Sequence, residues 1–302
     1  MIIRPKQHWL RMLLVWHGSI LPRILPQLLL VTLLSVLVTW LHGRVFDLKV
    51  PLNFVPFPLI GLALAIFLGF RNSASYERFW EGRKLWGILL NDCRTLARQL
   101  LSFTGSIEQS KPIILTLIAT VHALRHQLRG SMPQADLQRL LGDDQSHVAE
   151  HHFVPNMLLL HAAQQITDLR TQGHLDLWLS TQCEAPLARL TDAIGGCERL
   201  HGTLLPYTYS VILHRIVYLY CFLLPFALVD TIGWTTPVIV AFIAYTFFAL
   251  EAISDELEEP FGRAANDLAL NGMSYMIEHS LLEMIGETPN TPSPTPIKFI
   301  LD

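Results

Sequence analysis

Apolar residues fall in four long runs, and the polar residues between them decide how each run is read. The first run is Ile24–Leu41, "ILPQLLLVTLLSVLVTWL", and the second is Val55–Phe70. The third and fourth, Ile216–Val229 and Trp234–Leu250, are separated by a tight loop expected at Asp230–Gly233. Each reads as a membrane-crossing helix. The second is short against the roughly 20 residues a crossing needs, so its helix is expected to continue past Phe70. Within it Leu62, Ile66 and Phe70 fall one helical turn apart. Gly61, Ala65 and Gly69 form a parallel line of small residues beside them. Small residues at this spacing let helix backbones approach closely, which would aim the bulky line at a common axis. Stacked apolar rings about 5.4 Å apart would make a hydrophobic constriction, and such constrictions gate ions by dewetting. Packing against lipid or neighbouring helices is the alternative.

The remaining periodic segments read as helices with breakers. Residues 1–23 carry Trp9, Leu10, Leu13 and Trp16 among Arg4, Lys6 and Arg11, the pattern of an interfacial amphipathic helix. Ser110-Lys111-Pro112 is expected to open "PIILTLIATVHALRHQL", where His122, Arg125 and His126 cut the apolar run short. It is therefore read as a buried helix of a cytosolic region rather than a span. Pro155–Thr171 and Leu175–Leu190 are two more helices, the second bent or broken by Pro186. Residues 287–302 form a Pro/Thr-rich tail with an apolar end. No strand-like alternation and no internal repeat stands out.

Composition agrees with a membrane class. The 302 residues are 51% hydrophobic and 16% charged, with a mean hydropathy of +0.37. The net charge of −3 gives no case for nucleic acid binding. The four cysteines, Cys93, Cys183, Cys197 and Cys221, show no paired spacing and read as reduced thiols. Basic residues cluster before the first run and after the second, while the loop between these runs has only Arg44 and Lys49. The positive-inside rule then places both termini, and the cytosolic helical regions 71–205 and 251–286, on the cytoplasmic side of the cell's inner (plasma) membrane. Membrane helices one and two fall in 24–70, and three and four in 206–250.

Several polar groups are candidate chemistry. Arg71, Asn72 and Ser73, with Ser75, suit the polar mouth of a pore, or a cap at the interface. His214 and Arg215 either line a cytoplasmic vestibule or mark the inner end of the third span. Arg78/Glu81 and Glu77/Lys84 sit at helical spacings and read as a salt-bridged solvated face. "DELEEPFG" at Asp255–Gly262 is a candidate divalent-cation site through Glu256 and Glu259 with Asp267 beyond, or a wet helix face. "HVAEH" matches a metalloprotease pattern through His147 and His151, with no third ligand apparent.

The stretch "FLGFRNSASYERFWEGRKLWG" resembles the bacterial branch of the bestrophin family. Its signature is carried by Phe70, Arg71, Tyr76, Arg78, Phe79, Trp80, Glu81, Arg83, Trp86 and Gly87. "RPKQHWLRMLLVWHGS" near the start, "GCER" at Gly196–Arg199, "YTYSVILHR" at Tyr207–Arg215 and "ELEEPFG…NDL" at Glu256–Leu268 extend the likeness over nearly the whole chain. The resemblance implies an all-α membrane protein: four transmembrane helices plus a helical cytosolic domain, assembled as a homopentamer in the lipid bilayer. It implies a passive, non-enzymatic channel for small monovalent ions, chloride and other anions by the animal branch, cations such as sodium by the bacterial branch. The family's hydrophobic neck maps to Leu62, Ile66 and Phe70, and its cytosolic constriction to Thr181. The animal calcium site maps to "RAAND", where Arg263, Ala264 and Ala265 replace acids and Asp267 remains, so no calcium or other cofactor is expected. A secondary transporter, a non-conducting scaffold and a metallohydrolase built on His147 and His151 are the rival readings.

Overall fold

The computed structural model describes residues 1–4, 8–13, 15–45, 48–49, 52–142, 151–288 and 292–302. Ten α-helices and one small hairpin lie among them: α1 Trp9–Met12, α2 Leu21–Trp40, β1 Arg44–Val45, β2 Leu48–Lys49, α3 Pro56–Thr104, α4 Ile107–Leu128, α5 Gln134–Leu141, α6 Val154–Thr171, α7 Leu177–Gly202, α8 Tyr207–Ile232, α9 Thr236–Glu258 and α10 Leu270–Met284. The two-residue strands pair antiparallel and are too short to show as alternation in the sequence.

The chain divides into two compact units. One comprises residues 4–79 and 204–259, the other 1–3, 80–203 and 260–302. In the first, α2, α8 and α9 pack on one another. Their core joins Ile24 and Val31 of α2, Val217, Cys221 and Leu224 of α8, and Val240, Ala244 and Phe248 of α9. Phe57, Leu64 and Leu68 bring α3 into the same core. Among the described residues three stretches are long and apolar enough to cross a membrane: Leu21–Trp40, Pro56–Thr104 and Tyr207–Glu258. The last contains α8 and α9, separated by a 3₁₀ turn at Gly233–Thr235. The expected loop at Asp230–Gly233 is thus shorter than read. Helix α8 runs through Asp230 to Ile232, and Gly233, at φ 53°, makes the break because only glycine takes that conformation without strain.

In the second unit α4 is the central element, packed by α5, α6, α7 and α10. Ile113, Ile114, Leu117, Ile118, Val121 and Leu124 are all essentially inaccessible. Helix α4 begins earlier than expected. Ser106 caps it by accepting from the Gln109 N–H at 3.4 Å, and the Ser106-x-x-Gln109 spacing is the capping-box signal that Pro112 obscured. Pro186 lies inside α7, which continues to Gly202 rather than ending near Leu190. Close packing explains two of the glycines in the quoted stretches. A Cβ on Gly196 would lie 2.8 Å from Leu85 Cδ2, and one on Gly82 would lie 3.1 Å from Phe261 Cε1. The end of the tail pairs with the start of the chain, through an Ile2–Ile300 bridge and the Ile3 N–H donating to Phe299 O at 2.8 Å. The amphipathic helix expected over 1–23 is confined to Trp9–Met12 among the described residues, although Trp9, Leu10, Met12 and Leu13 are exposed.

Candidate pore helix

Helix α3 presents three different lines of side chains. Phe57, Leu64, Leu68, Arg71 and Ser75 are buried, at spacings of seven, four, three and four residues. This is the face the helix turns to its own chain. Leu62, Ile66 and Phe70 are 61%, 49% and 66% exposed. At about 100° per residue they centre roughly 175° from the buried line, on the opposite side of the helix. The small residues run between the two lines. Here the expectation needs correction at one position: Gly61 is taken up within the chain, because a Cβ there would lie 2.9 Å from Tyr220 Oη. Ala65 and Gly69 are exposed, and nothing lies within 4 Å of a Cβ built on Gly69.

Arg71 departs from its expected role at a polar mouth. Its side chain is 3% exposed and its guanidinium donates to Asp255 Oδ1 at 2.6 Å and Glu258 Oε2 at 3.4 Å. A charge this buried needs opposite charge beside it, and α9 supplies two carboxylates. Arg23 of α2 reaches the same acidic run, with Asp255 at 3.5 Å and Glu256 at 3.4 Å. Glu258 also accepts from the Leu205 N–H at 2.9 Å, and its carbonyl accepts from Arg78 Nε at 2.9 Å. Of the carboxylates expected as cation ligands, Glu256 therefore meets a guanidinium group. Glu259 is exposed at the end of α9, while Asp267 belongs to the other unit and accepts from the Ala264 N–H at 2.6 Å. Among the described residues no group of three His, Cys, Asp or Glu side chains is placed to hold a metal ion.

The other polar candidates fall in three settings. Asn72 donates to Leu68 O at 2.9 Å and across to Leu250 O at 3.1 Å, so it ties α3 to α9. Ser75 and Ser254 share a buried hydrogen bond at 3.1 Å, also between α3 and α9. Ser73 is exposed on the side of the bulky stripe. His214 is exposed and pairs through Nδ1 with Glu251 Oε1 at 2.7 Å, while Arg215 is exposed without an ion-pair partner among the described residues. Thr181 is exposed on α7 and donates to Trp178 O at 2.7 Å. His147 lies outside the described residues, and His151 is exposed at a bend before α6. The pairing of Arg71 with Asp255 and Glu258 was missed from sequence because the partners are 184 and 187 residues away. The only local signal was that a cation and a run of carboxylates each sat at the end of an apolar run.

Apolar helices of spanning length, with bulky side chains turned outward and the buried Arg71 neutralised by two carboxylates, define an α-helical membrane protein. Over residues 1–283 the chain matches the family model described as bacterial/fungal bestrophin protein. The chain belongs to the bestrophin family. It is 45% identical over 306 residues to a protein of Ralstonia nicotianae named as voltage-dependent anion channel-forming, each chain covered in full. It is 39% identical over 289 residues to YneE of Escherichia coli, which carries the same description, with 95% of both chains covered. A crystal structure of a bacterial bestrophin homologue from Klebsiella pneumoniae superposes with a TM-score of 0.85 at 43% identity, covering 88% of this chain and all of that one. The Ralstonia and Escherichia relatives are named for channels and not for a catalysed reaction, in keeping with the expectation of a non-enzyme.

Proposed function

We propose that the protein is a passive channel for small monovalent ions, assembled as a homopentamer around the Leu62–Ile66–Phe70 face of α3. The observation that carries this reading is the opposition of the two faces of that helix. Leu64 and Leu68 are 2% and 0% exposed in the chain's own core, while the three bulky residues on the far side are 49–66% exposed. The exposed Ala65 and Gly69 beside them suit close approach of a second copy. Five such helices would stack three apolar rings one turn apart, a barrier that opens by wetting. Thr181 is read as a second, cytosolic constriction, and both termini as cytoplasmic in the inner membrane. The curated relatives' description as anion channel-forming supports ion conduction itself. Conduction requires neither calcium nor another cofactor in this reading. The test is purified protein in a planar bilayer under a salt gradient. Current with a defined reversal potential is expected, together with a fivefold mass in mild detergent. Absence of current from verified assemblies, or a monomeric mass, overturns the reading.

A further inference from the structure

Between Pro56 and Phe79 the sequence has three charged residues, Arg71, Glu77 and Arg78. Arg71 is buried against Asp255 and Glu258. Arg78 is half-buried and donates to the carbonyl of Glu258 at 2.9 Å. Both cations are thus turned toward α9, and both lie on or near the buried line of the helix. Glu77 is exposed and has no ion-pair or hydrogen-bond partner among the described residues. The sequence spacing that paired it with Lys84 is not realised as an ion pair. Its phase on the helix is the decisive point. Glu77 follows Phe70 by seven residues and Ser73 by four, so at about 100° per residue it falls within the arc of Leu62, Ile66 and Phe70. The stripe therefore reads, along one side of one helix, apolar, apolar, apolar, hydroxyl, carboxylate.

We infer that Glu77 is the charge-selecting residue of the conduction path. Repeated around the assembly, it forms a ring of carboxylates about two helical turns beyond the last apolar ring, with Ser73 as the polar step between. This rests on the proposed pore-facing role of Leu62, Ile66 and Phe70. An apolar constriction has no preference for the sign of an ion, so selection must come from charge at its approaches. Narrow, low-dielectric walls focus the field of such a ring, which enriches cations and depletes anions locally. The asymmetry of the Pro56–Phe79 stretch of α3 gives the sign: its two positive charges, Arg71 and Arg78, are engaged within the chain and its one negative charge, Glu77, is left facing outward.

The experiment is the reversal potential in a planar bilayer under a tenfold KCl gradient, for wild type, Glu77→Gln, Glu77→Lys, Glu77→Asp and Ile66→Ala. Glu108→Gln, an exposed acid of α4, is the charge control. Glu77 has no bonded partner among the described residues to strand, so each variant is expected to fold and assemble as wild type does, checked by mass. Glu77→Gln is expected to lower the cation-to-anion permeability ratio by roughly threefold or more at about 0.15 M salt, Glu77→Lys to lower it further, and Glu77→Asp to preserve it. The difference should shrink near 1 M salt, where the screening length falls from about 8 Å to about 3 Å. Unchanged reversal potentials in the Gln and Lys variants, with conductance still raised by Ile66→Ala, overturn the role of Glu77 and leave the neck standing. If Ile66→Ala also leaves conductance unchanged, the pore-facing stripe fails and the Glu77 ring fails with it.

Discussion

Helix α4 and the first half of α3 have similar apolar content at their centres and opposite surroundings. In α4, Ile113, Ile114, Leu117, Ile118 and Val121 are covered on all sides by α5, α6, α7 and α10. In α3, one line of side chains is covered, and Leu59, Leu62, Ile66, Phe67 and Phe70 stand exposed. The difference is not one of hydrophobicity. It lies in the polar residues distributed around each helix. Helix α4 carries Thr116, Thr120 and His122 on its circumference and buries them by bonding each one: Thr120 to its own backbone at 2.8 Å, Thr116 also to Gln165 at 3.1 Å, His122 to Glu278 at 2.7 Å. Helix α3 has no such side chain between Pro56 and Phe70, so its outer face suits lipid or another copy of itself but not a hydrogen-bonded protein interior.

The sharpest way to break this comparison is to truncate one side chain on each helix. Leu117→Ala is expected to cost about 2–5 kcal/mol, because a fully enclosed site cannot collapse around the cavity. Ile66→Ala, half exposed, is expected to cost less than about 1 kcal/mol and to raise ion flux in liposomes. Thermal unfolding in detergent and a flux assay at equal assembly content read both. Comparable losses of stability with unchanged flux would mean that Ile66 is packed core.

Removing the buried cation of α3 comes next. Arg71→Ala leaves Glu258 buried without its neutralising partner, while Asp255, 41% exposed, recovers part of its solvation. A loss of about 2–3 kcal/mol is expected from unfolding, below the range for a fully enclosed pair. Gly196→Val should cost about 1–3 kcal/mol by driving a side chain into Leu85, whereas the same change at Gly195, where nothing lies within 4 Å of a Cβ, should have a much smaller effect.

The charged cluster around α4 makes the comparison pH-dependent. Burial pushes Glu278 up, but hydrogen bonds from His122 and Arg139 outweigh it and hold the carboxyl below its ordinary 4.5. The hydrogen bond from His126, opposed by burial and aided by nearby His122 and Arg125, holds Asp136 well below its ordinary 3.8. Lowered carboxylate values contribute stability that is fully present above the ordinary value and is lost as pH falls through the lowered one. The melting temperature should therefore fall as pH drops below about 4.5, and Glu278→Gln should flatten that fall while lowering stability at neutral pH. The smallest effect concerns the thiols. Burial pushes Cys93 and Cys197 up to about 12 and Cys183 up to about 11. A maleimide at pH 8 should label these three only on unfolding, and rapid labelling of the native protein would show that their helices open.

The sequence by itself determined the helical class, the apolar runs, the burial of α4 and the family likeness. These are readable because they depend on composition and on periodicities of three to four residues, which are local. Leu62, Ile66 and Phe70 were legible for the same reason: one helix fixes their common side. Tertiary structure alone decided which polar groups on those helices are occupied. Arg71 reads from sequence as a charge at a pore mouth and is instead held by Asp255 and Glu258 of α9. Gly61 reads as part of a packing stripe and instead receives Tyr220 of α8. Glu77 reads as half of a salt bridge and stands without a partner among the described residues. In each case the deciding neighbour, or its absence, lies on an element distant in sequence. Helical spacing places a residue on a face, and only the packing of the other helices determines what that face meets.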